Sequence, residues 1–182
     1  KEIRSCHDLP GRRFAIHSEG AISTAMIRNW LAEEGCPEPN FLVIPGSDVR
    51  AQALLAGQID VTPVELSDAL NIDRQRPGQF HRIADFSRDL PQLLANGYYT
   101  SDRALRTNRG ALKAFLTELI RVHREIADDP EVAVTAAMRH LPDMEEDVVR
   151  DTARAWVALG LWPVNGDLTE EAIAFSIDFY TN

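Results

Sequence analysis

Short apolar runs alternate with amphipathic stretches through the first half of the chain. The apolar runs predict strands over residues 13–16, 41–44, 58–62 and 80–86, and a last extended stretch over 91–100. The amphipathic stretches predict helices over residues 21–34, 48–56 and 65–72. Because strands that alternate with helices at short intervals form βαβ units, the pattern predicts an α/β fold with a parallel-rich open sheet flanked by helices.

The helix ends carry signals of their own. Gly35 and Gly57 suit C-caps, and Ser47 suits an N-cap for the second helix. Pro37 prevents the first helix from continuing. These residues predict where the first and second helices begin and end.

The second half of the chain is helical almost to its end. A long helix over residues 108–128 carries an apolar stripe made of Leu112, Phe115, Leu116, Leu119, Ile120, His123 and Ile126. Asp129, Asp143 and Thr169 are expected to cap three further helices, the second of which ends at Gly160. A helical C-terminal region therefore follows the α/β part, with a boundary near residues 90–100.

The overall charge limits the partners of the chain. Its net charge is −9 and its pI is about 5.0, whereas a protein that tracks phosphates needs a basic stripe. We therefore expect neither nucleic acid nor an anionic membrane surface as a partner. The apolar runs are too short to cross a bilayer, and the charged first residues do not resemble a signal peptide, so any export signal is expected outside this chain.

The sequence carries no recognisable catalytic or metal-binding motif. The histidines lack the spacing of a dedicated metal site; they are His7, His17, His81, His123 and His140. The nucleophile elbow G-x-S-x-G, the P-loop and G-x-G-x-x-G are also missing from the sequence. We therefore do not expect an enzyme, and we expect no catalytic residue, cofactor or metal.

The two cysteines, Cys6 and Cys36, leave two alternatives open. They are either unrelated thiols or the two halves of one disulfide. Both precede strands that are expected to lie side by side, so both would lie at the amino ends of the sheet. A bridge requires their Cα atoms to lie within about 7 Å of each other.

Four segments resemble a known family. They are D-L-P-G-R-R at 8–13, S-E-G at 18–20 before a helix ending in Gly35, A-L-L-A-G-Q-I-D-V at 53–61, and N-G-D-L-T at 165–169 followed by F-Y at 179–180. In order and spacing they resemble the NMT1/THI5-like substrate-binding proteins of ABC importers for nitrate, sulfonate, taurine and thiamine precursors. The segment at 53–61 is the most specific of the four.

The resemblance implies a fold and a function. It implies a type II periplasmic-binding-protein fold, with residues 1–95 as the α/β second lobe. Residues 96–182 would then be a hinge strand and a helical return to a first lobe whose N-terminal part is absent. The function implied is the solute-binding component of an ABC importer, periplasmic or extracytoplasmic, which captures a small polar organic molecule between two lobes and delivers it to a permease. Family members are monomers. The long amphipathic helix would need another apolar surface, which the absent segment, the lobe itself or, if the chain is complete as it stands, a second copy in a dimer could supply.

Candidate ligand residues lie in loops beyond the carboxyl ends of the strands, where open parallel sheets bind ligands. The first loop supplies His17, Ser18, Glu19, Gly20, Ser23 and Thr24. The helix N-terminus there offers free N–H groups to a polar head group. The charge of Glu19 disfavours a simple anion and suits a ligand with an amine or ring nitrogen. Alternatively, Ser18 or Ser23 merely caps the helix.

Other loops supply Gly46 and Arg50, then Pro63 and Glu65, and the crossing between lobes supplies Tyr98. Arg50 is a candidate to hold a carboxylate, sulfonate or phosphate, or it is a surface arginine. Glu65 is a candidate partner for a cationic group, or a first-turn acid favoured by the helix dipole. Tyr98 is a candidate to stack on a ring, or it packs under the hinge.

Two other functions fit the same resemblance. One is the ligand-sensing domain of a regulator, because LysR-type effector domains share this fold. The other is a pyrimidine-synthase-like enzyme, although such enzymes carry a cysteine-rich motif that this sequence lacks.

Overall fold

The structure, a computed structural model, describes residues 2–166 and 168–181. It divides into two compact units, Lys1–Pro91 (the first unit) and Gln92–Asn182 (the second unit), and each has a hydrophobic core of its own. Asp167, which belongs to the tail segment of the resemblance, lies outside the described residues. The assignment of residues 1–95 to a second lobe and of 96–182 to a helical return stays a prediction.

A small parallel sheet lies at the centre of the first unit. Strand β1 (Phe14–Ile16) pairs with β2 (Phe41–Val43), with Phe14 opposite Phe41. On its other side β1 forms a single parallel bridge to Val61, and the Ala15 amide donates to the Val61 carbonyl at 2.9 Å. β1 is therefore the central strand.

Helices surround this sheet. In the first unit they are α1 (Ile22–Glu33), α2 (Ser47–Leu55), α3 (Leu66–Gln75) and α4 (Phe86–Asp89). Side chains of a strand alternate between its two faces, and β1 uses both. On one face Phe14 and Ile16 pack with Ile27 and Leu31 of α1. On the other face, Ala15 packs with Ala53 of α2 and with Ile59.

The second unit is helical. Its helices are α5 (Asp102–Thr107), α6 (Arg109–Asp128), α7 (Glu131–His140), α8 (Glu146–Ala158) and α9 (Glu170–Thr181). Val134 of α7 packs against Val149 and Ala153 of α8. The stripe of α6 is covered unevenly within this unit, because Ile126 is buried whereas Phe115 and Leu116 are each 48% exposed.

The sheet is smaller than the apolar runs predicted. In the described residues the strands are β1 and β2 alone; segment 58–62 is reduced to the bridge at Val61, and segments 80–86 and 91–100 form no strand. Pro63 lacks an amide N–H, so a ladder cannot continue far past Val61. In segment 80–86, Ile83 and Phe86 pack against the core from a loop and from the start of α4. The fold is thus a helix-rich α/β fold with a parallel pair of strands.

The helix signals were partly right. Gly35, Gly57 and Gly160 all adopt positive φ directly after a helix, as predicted for C-caps, and Thr169 Oγ1 accepts the Ala172 amide at 3.1 Å. The cap at Asp143 was wrong. The N-cap of α8 is Glu145, because a turn from the Leu141 carbonyl to the Met144 amide precedes that helix.

The cap at Ser47 was also wrong. Gly46 occupies the N-cap position of α2 with a φ of 91°, and Ser47 is the first residue of the helix. Its hydroxyl is engaged with α3 instead of with its own helix. Tertiary contacts thus determine the hydrogen bonds of the Ser47 side chain.

No helix within residues 2–166 and 168–181 combines the length and the apolar character needed to cross a membrane.

Candidate functional site

Three chain segments end at one edge of the sheet of the first unit. Because β1, β2 and the bridge at Val61 are parallel, the segments that follow them, residues 17–23, 44–46 and 62–65, lie at the same edge. We call these three segments the carboxyl edge. Here His17 Nδ1 accepts the Gly46 amide at 3.3 Å. The structure therefore brings together two of the residues that the sequence proposed for a ligand site.

The side chain of Arg50 connects two segments of the carboxyl edge through hydrogen bonds. It is only 4% exposed, so the interpretation as a surface arginine was wrong. Its Nη1 donates to the Ile44 carbonyl at 3.0 Å, and its Nη2 donates to the Pro63 carbonyl at 3.2 Å. Its Nε donates to Thr62 Oγ1 at 2.9 Å. The guanidinium thus joins the segment after β2 to the segment after Val61.

The charge of Arg50 is buried, and the carboxylates around it compensate for this. Burial lowers the pKa of Arg50, while Asp68, Glu65 and Asp48 act in the opposite direction. A buried cation is tolerated when hydrogen bonds and opposite charges replace water. Because three of its donor groups are engaged with its own chain, Arg50 shapes the edge more than it offers an open fork to an anion.

Ser47 fixes the start of α2 to the start of α3. Its hydroxyl donates a hydrogen bond to Asp68 and accepts the Glu65 amide at 2.9 Å. Glu65 is the N-cap residue of α3 and is exposed. Its side chain is therefore held at the carboxyl edge by a bond to its backbone and stays accessible to solvent.

The loop between β1 and α1 is ordered by a threonine. Thr24 is fully buried, and its hydroxyl donates to the Ser18 carbonyl at 2.7 Å. Ala21 is the N-cap of α1 and has no side-chain capping bond, so neither Ser18 nor Ser23 caps this helix. A Cβ at Gly20 would meet no atom within 4 Å, so this position lies open.

Glu19 is paired within its own unit. Its Oε2 accepts from Arg28 Nη2 at 2.6 Å, and the same guanidinium binds Glu38 at 3.0 Å. These hydrogen bonds, first to Glu38 and then to Glu19, raise the pKa of Arg28. The charge of Arg28 is thus shared between two carboxylates, and Glu19 carries an ion-pair partner that it does not have to itself.

Tyr98 belongs to the second unit. It is 70% exposed, and its ring packs edge-on against Phe115 with 5.3 Å between the ring centroids. A role for Tyr98 in stacking on a ligand stays a prediction.

Sequence reasoning missed several residues of this edge. Thr62 directly follows the Val61 bridge, and that position was the available signal. Ser47 was assigned to a helix cap, and Asp68 lies inside a predicted helix with nothing to distinguish it.

The cysteines lie apart from this edge in the sequence, because each precedes a strand. Cys6 and Cys36 form a disulfide with a Cα–Cα distance of 6.0 Å, and both are buried. Of the two alternatives that the sequence left open, the structure has the bridge.

Comparison with known proteins identifies a family. The profile of the family described as NMT1/THI5 like matches residues 1–133, well over half of the 182 residues. No curated protein and no solved structure matches the chain.

Proposed function

Because the chain belongs to the NMT1/THI5-like family, we propose that it is the solute-binding component of an ABC importer and holds a small polar organic molecule at the carboxyl edge. The family suggests substrate binding and consists mostly of binding proteins, although THI5 itself is a pyrimidine synthase. The observation that carries the proposal is the edge itself, where the Gly46 amide bonds to His17 and the buried Arg50 bonds to the Pro63 carbonyl.

The architecture of the edge supports binding. Ligand sites need polar groups whose positions are fixed before the ligand arrives. The loops of this edge are fixed by hydrogen bonds to the side chains of Arg50, Ser47 and Thr24. The first amides of a helix lack the carbonyl four residues earlier. In α1 the Thr24 amide bonds to the Ala21 carbonyl at 2.9 Å, so we assign the polar contact to the amides of Ile22 and Ser23, which follow the loop that contains Gly20.

The charges of the edge favour a ligand with a cationic or N–H-rich group. Asp48 and Glu65 are exposed carboxylates, whereas Arg50 is buried and engaged with its own chain. Glu19 has its own partner in Arg28. We therefore assign the contact with an amine or ring nitrogen to Glu65 and Asp48 instead of to Glu19.

A two-lobe mechanism completes the proposal. In it, the first unit is one lobe of a type II periplasmic-binding fold, the second unit belongs to the helical return to the other lobe, and closure of the lobes traps the solute for the permease. An extracytoplasmic location is typical of the family. The Cys6–Cys36 disulfide supports such a location, because disulfides persist in oxidising compartments.

A thermal-shift screen tests this function. Aminopyrimidines and other small amines are compared with sulfonates and nitrate. A solute that binds only the folded chain adds about 2.7 kcal/mol at a concentration 100 times its Kd, so we expect the melting temperature to rise with the concentration of a nitrogen-bearing solute. A rise with sulfonates or nitrate alone contradicts the ligand class, and no rise with any class contradicts the binding function.

A charge-removing variant ties the binding to the edge. Glu65→Gln removes one exposed carboxylate and leaves the backbone amide that bonds to Ser47. We expect it to weaken binding of the solute found in the screen by about tenfold, or about 1.4 kcal/mol. The matched control is Glu33→Gln, an exposed carboxylate in the last turn of α1. Equal effects of the two variants in titration calorimetry contradict the assignment to the carboxyl edge.

A further inference from the structure

His7 lies beside the Cys6–Cys36 disulfide and takes no part in the proposed ligand site. His7 lies with Cys6 and Cys36, and one possible ligand atom from each residue lies within 4.8 Å of the other two. His7 Nδ1 is 2.8 Å from Cys36 Sγ. In the residues that the structure describes, this is the one group of three histidine, cysteine or acidic side chains with such a geometry.

Local structure places these three residues together. Cys6 and His7 share a single 3-10 turn, Cys6–Asp8, which the Asp8 carboxylate steadies by accepting the Arg4 amide at 3.1 Å. Cys36 follows α1 and donates its amide to the Leu31 carbonyl at 2.8 Å. Cys6 and Cys36 are 3% and 8% exposed, whereas His7 is exposed. The sulfur atoms thus lie in the core, and the imidazole provides access from solvent.

Two thiolates and one imidazole make a ligand set that Zn²⁺ prefers. With Zn–S bonds of about 2.3 Å and Zn–N bonds of about 2.0 Å, tetrahedral ligands lie roughly 3.5–3.8 Å apart. The three atoms lie within 4.8 Å of one another. Once the bridge opens, the two sulfur atoms must separate from bonding distance, and His7 Nδ1 must move away from Cys36 Sγ, now at 2.8 Å, to reach this range. A solvent molecule would occupy the fourth position on the exposed side of His7.

We propose that Cys6, His7 and Cys36 form a redox-gated zinc site, closed while the disulfide exists and open when it is reduced. A small dithiol supplies two electrons and two protons: the Cys6–Cys36 bond breaks, two thiols form, and the dithiol becomes a cyclic disulfide. Zn²⁺ then binds both sulfur atoms and releases their two protons to solvent. The ion replaces the bridge as the link between the turn at Cys6 and the segment after α1.

Zinc titration of the two redox forms tests the proposal. The protein is reduced with dithiothreitol, transferred to anaerobic buffer without the reductant, and titrated with Zn²⁺ against a chromophoric chelator. We expect one tightly bound ion per reduced chain and none per oxidised chain. Cobalt in place of zinc is expected to give thiolate charge-transfer absorption and the visible bands of a tetrahedral site. Equal binding by both forms, or no binding by the reduced form, overturns the proposal.

Variants distinguish zinc binding by all three residues from zinc binding by two free thiols. His7→Ala keeps both cysteines and is expected to weaken zinc binding by at least about tenfold, whereas Cys6→Ser with Cys36→Ser abolishes it. The control variant is His81→Ala, which removes an imidazole that faces Glu2 at 3.5 Å. We expect this variant to bind zinc as tightly as the original chain does. Unchanged affinity in His7→Ala overturns the proposal.

If reduction of the disulfide unfolds the first unit, circular dichroism still tests the proposal. Zinc is then expected to restore the helical signal of the reduced chain, because the ion links the same two segments as the bridge. A reduced chain that binds zinc but stays unfolded also overturns the proposal, because the three ligands would not form the folded site.

Discussion

Asp60 shows how one side chain of the family motif at 53–61 serves the fold. Its Oδ2 accepts the Arg13 amide at 2.8 Å and Arg13 Nε at 3.1 Å, and its Oδ1 accepts Nη2 of the same residue at 2.8 Å. These bonds fasten the start of β1 to the segment that leads to Val61. The aspartate in this motif thus has a structural role, and the proposed ligand residues Pro63 and Glu65 lie just beyond it.

The pKa of Asp60 predicts a pH-dependent contribution to stability. Hydrogen bonds from the Arg13 side chain lower this pKa from 3.8 to about 2. A carboxyl whose pKa is lower in the folded state stabilises the fold above its unfolded pKa and loses this effect as the pH falls through its folded pKa. We expect Asp60→Asn to cost about 1–2 kcal/mol at pH 7, since Arg13 is half exposed, and the difference to shrink between about pH 4 and pH 2.

Urea unfolding at a series of pH values measures this difference. The control is Asp73→Asn, because Asp73 forms an exposed ion pair with Arg82 at 3.3 Å, and such pairs contribute little. The account is wrong if Asp60→Asn costs no more than Asp73→Asn at pH 7, or if its cost stays constant down to pH 2.

At the scale of elements, Arg50 determines how α2 meets the strands. It reaches from α2 to the Ile44 and Pro63 carbonyls and to the Thr62 hydroxyl. A lysine would offer one ammonium in place of a planar fork. We expect Arg50→Lys to lower the free energy of unfolding by about 3 kcal/mol, because it leaves buried acceptors without donors.

Chemical denaturation of the two variants measures this loss. Arg82→Lys is the control, because Arg82 is half exposed and bonds to Asp73 alone among the contacts described for it. Its effect should stay within about 0.5 kcal/mol. If Arg50→Lys is as mild as Arg82→Lys, the guanidinium does not hold the edge together.

The sequence predicted the helices better than the sheet, for physical reasons. The glycines that end α1 and α2 act locally, because positive φ after a helix needs no partner elsewhere. A strand depends on a neighbour, and segment 80–86 packs its apolar side chains without joining the ladder. The burial of Arg50 and the engagement of Ser47 with α3 depend on residues 12 to 21 positions away, which no local pattern contains.

The sequence predicted where the candidate site lies better than it predicted which residues contact one another there. The rule that loops follow parallel strands to one edge placed His17, Gly46 and Pro63 near one another, and the structure joins the first two directly. The rule could not reveal that Arg28 pairs with Glu19 and Glu38, because Arg28 faces that loop only once α1 has formed.

At the scale of the whole molecule, the proposed ligand edge and the proposed redox-gated zinc site are separate features of the chain. The carboxyl edge follows the strands, while Cys6 and His7 precede β1 and Cys36 precedes β2. Binding of solute and binding of zinc would therefore use different segments of the first unit. Loss of one activity is expected to leave the other intact, so the two proposals stand or fall separately.

The central claim is that solute binds at the carboxyl edge, and amide chemical-shift mapping with the solute found by the screen tests it most directly. We predict the largest shift changes at His17, Gly46 and Glu65, with little change at Cys36 or at Gly78 in the loop between α3 and α4. Changes centred on Cys36 or Gly78, with the three edge residues unaffected, would contradict the account.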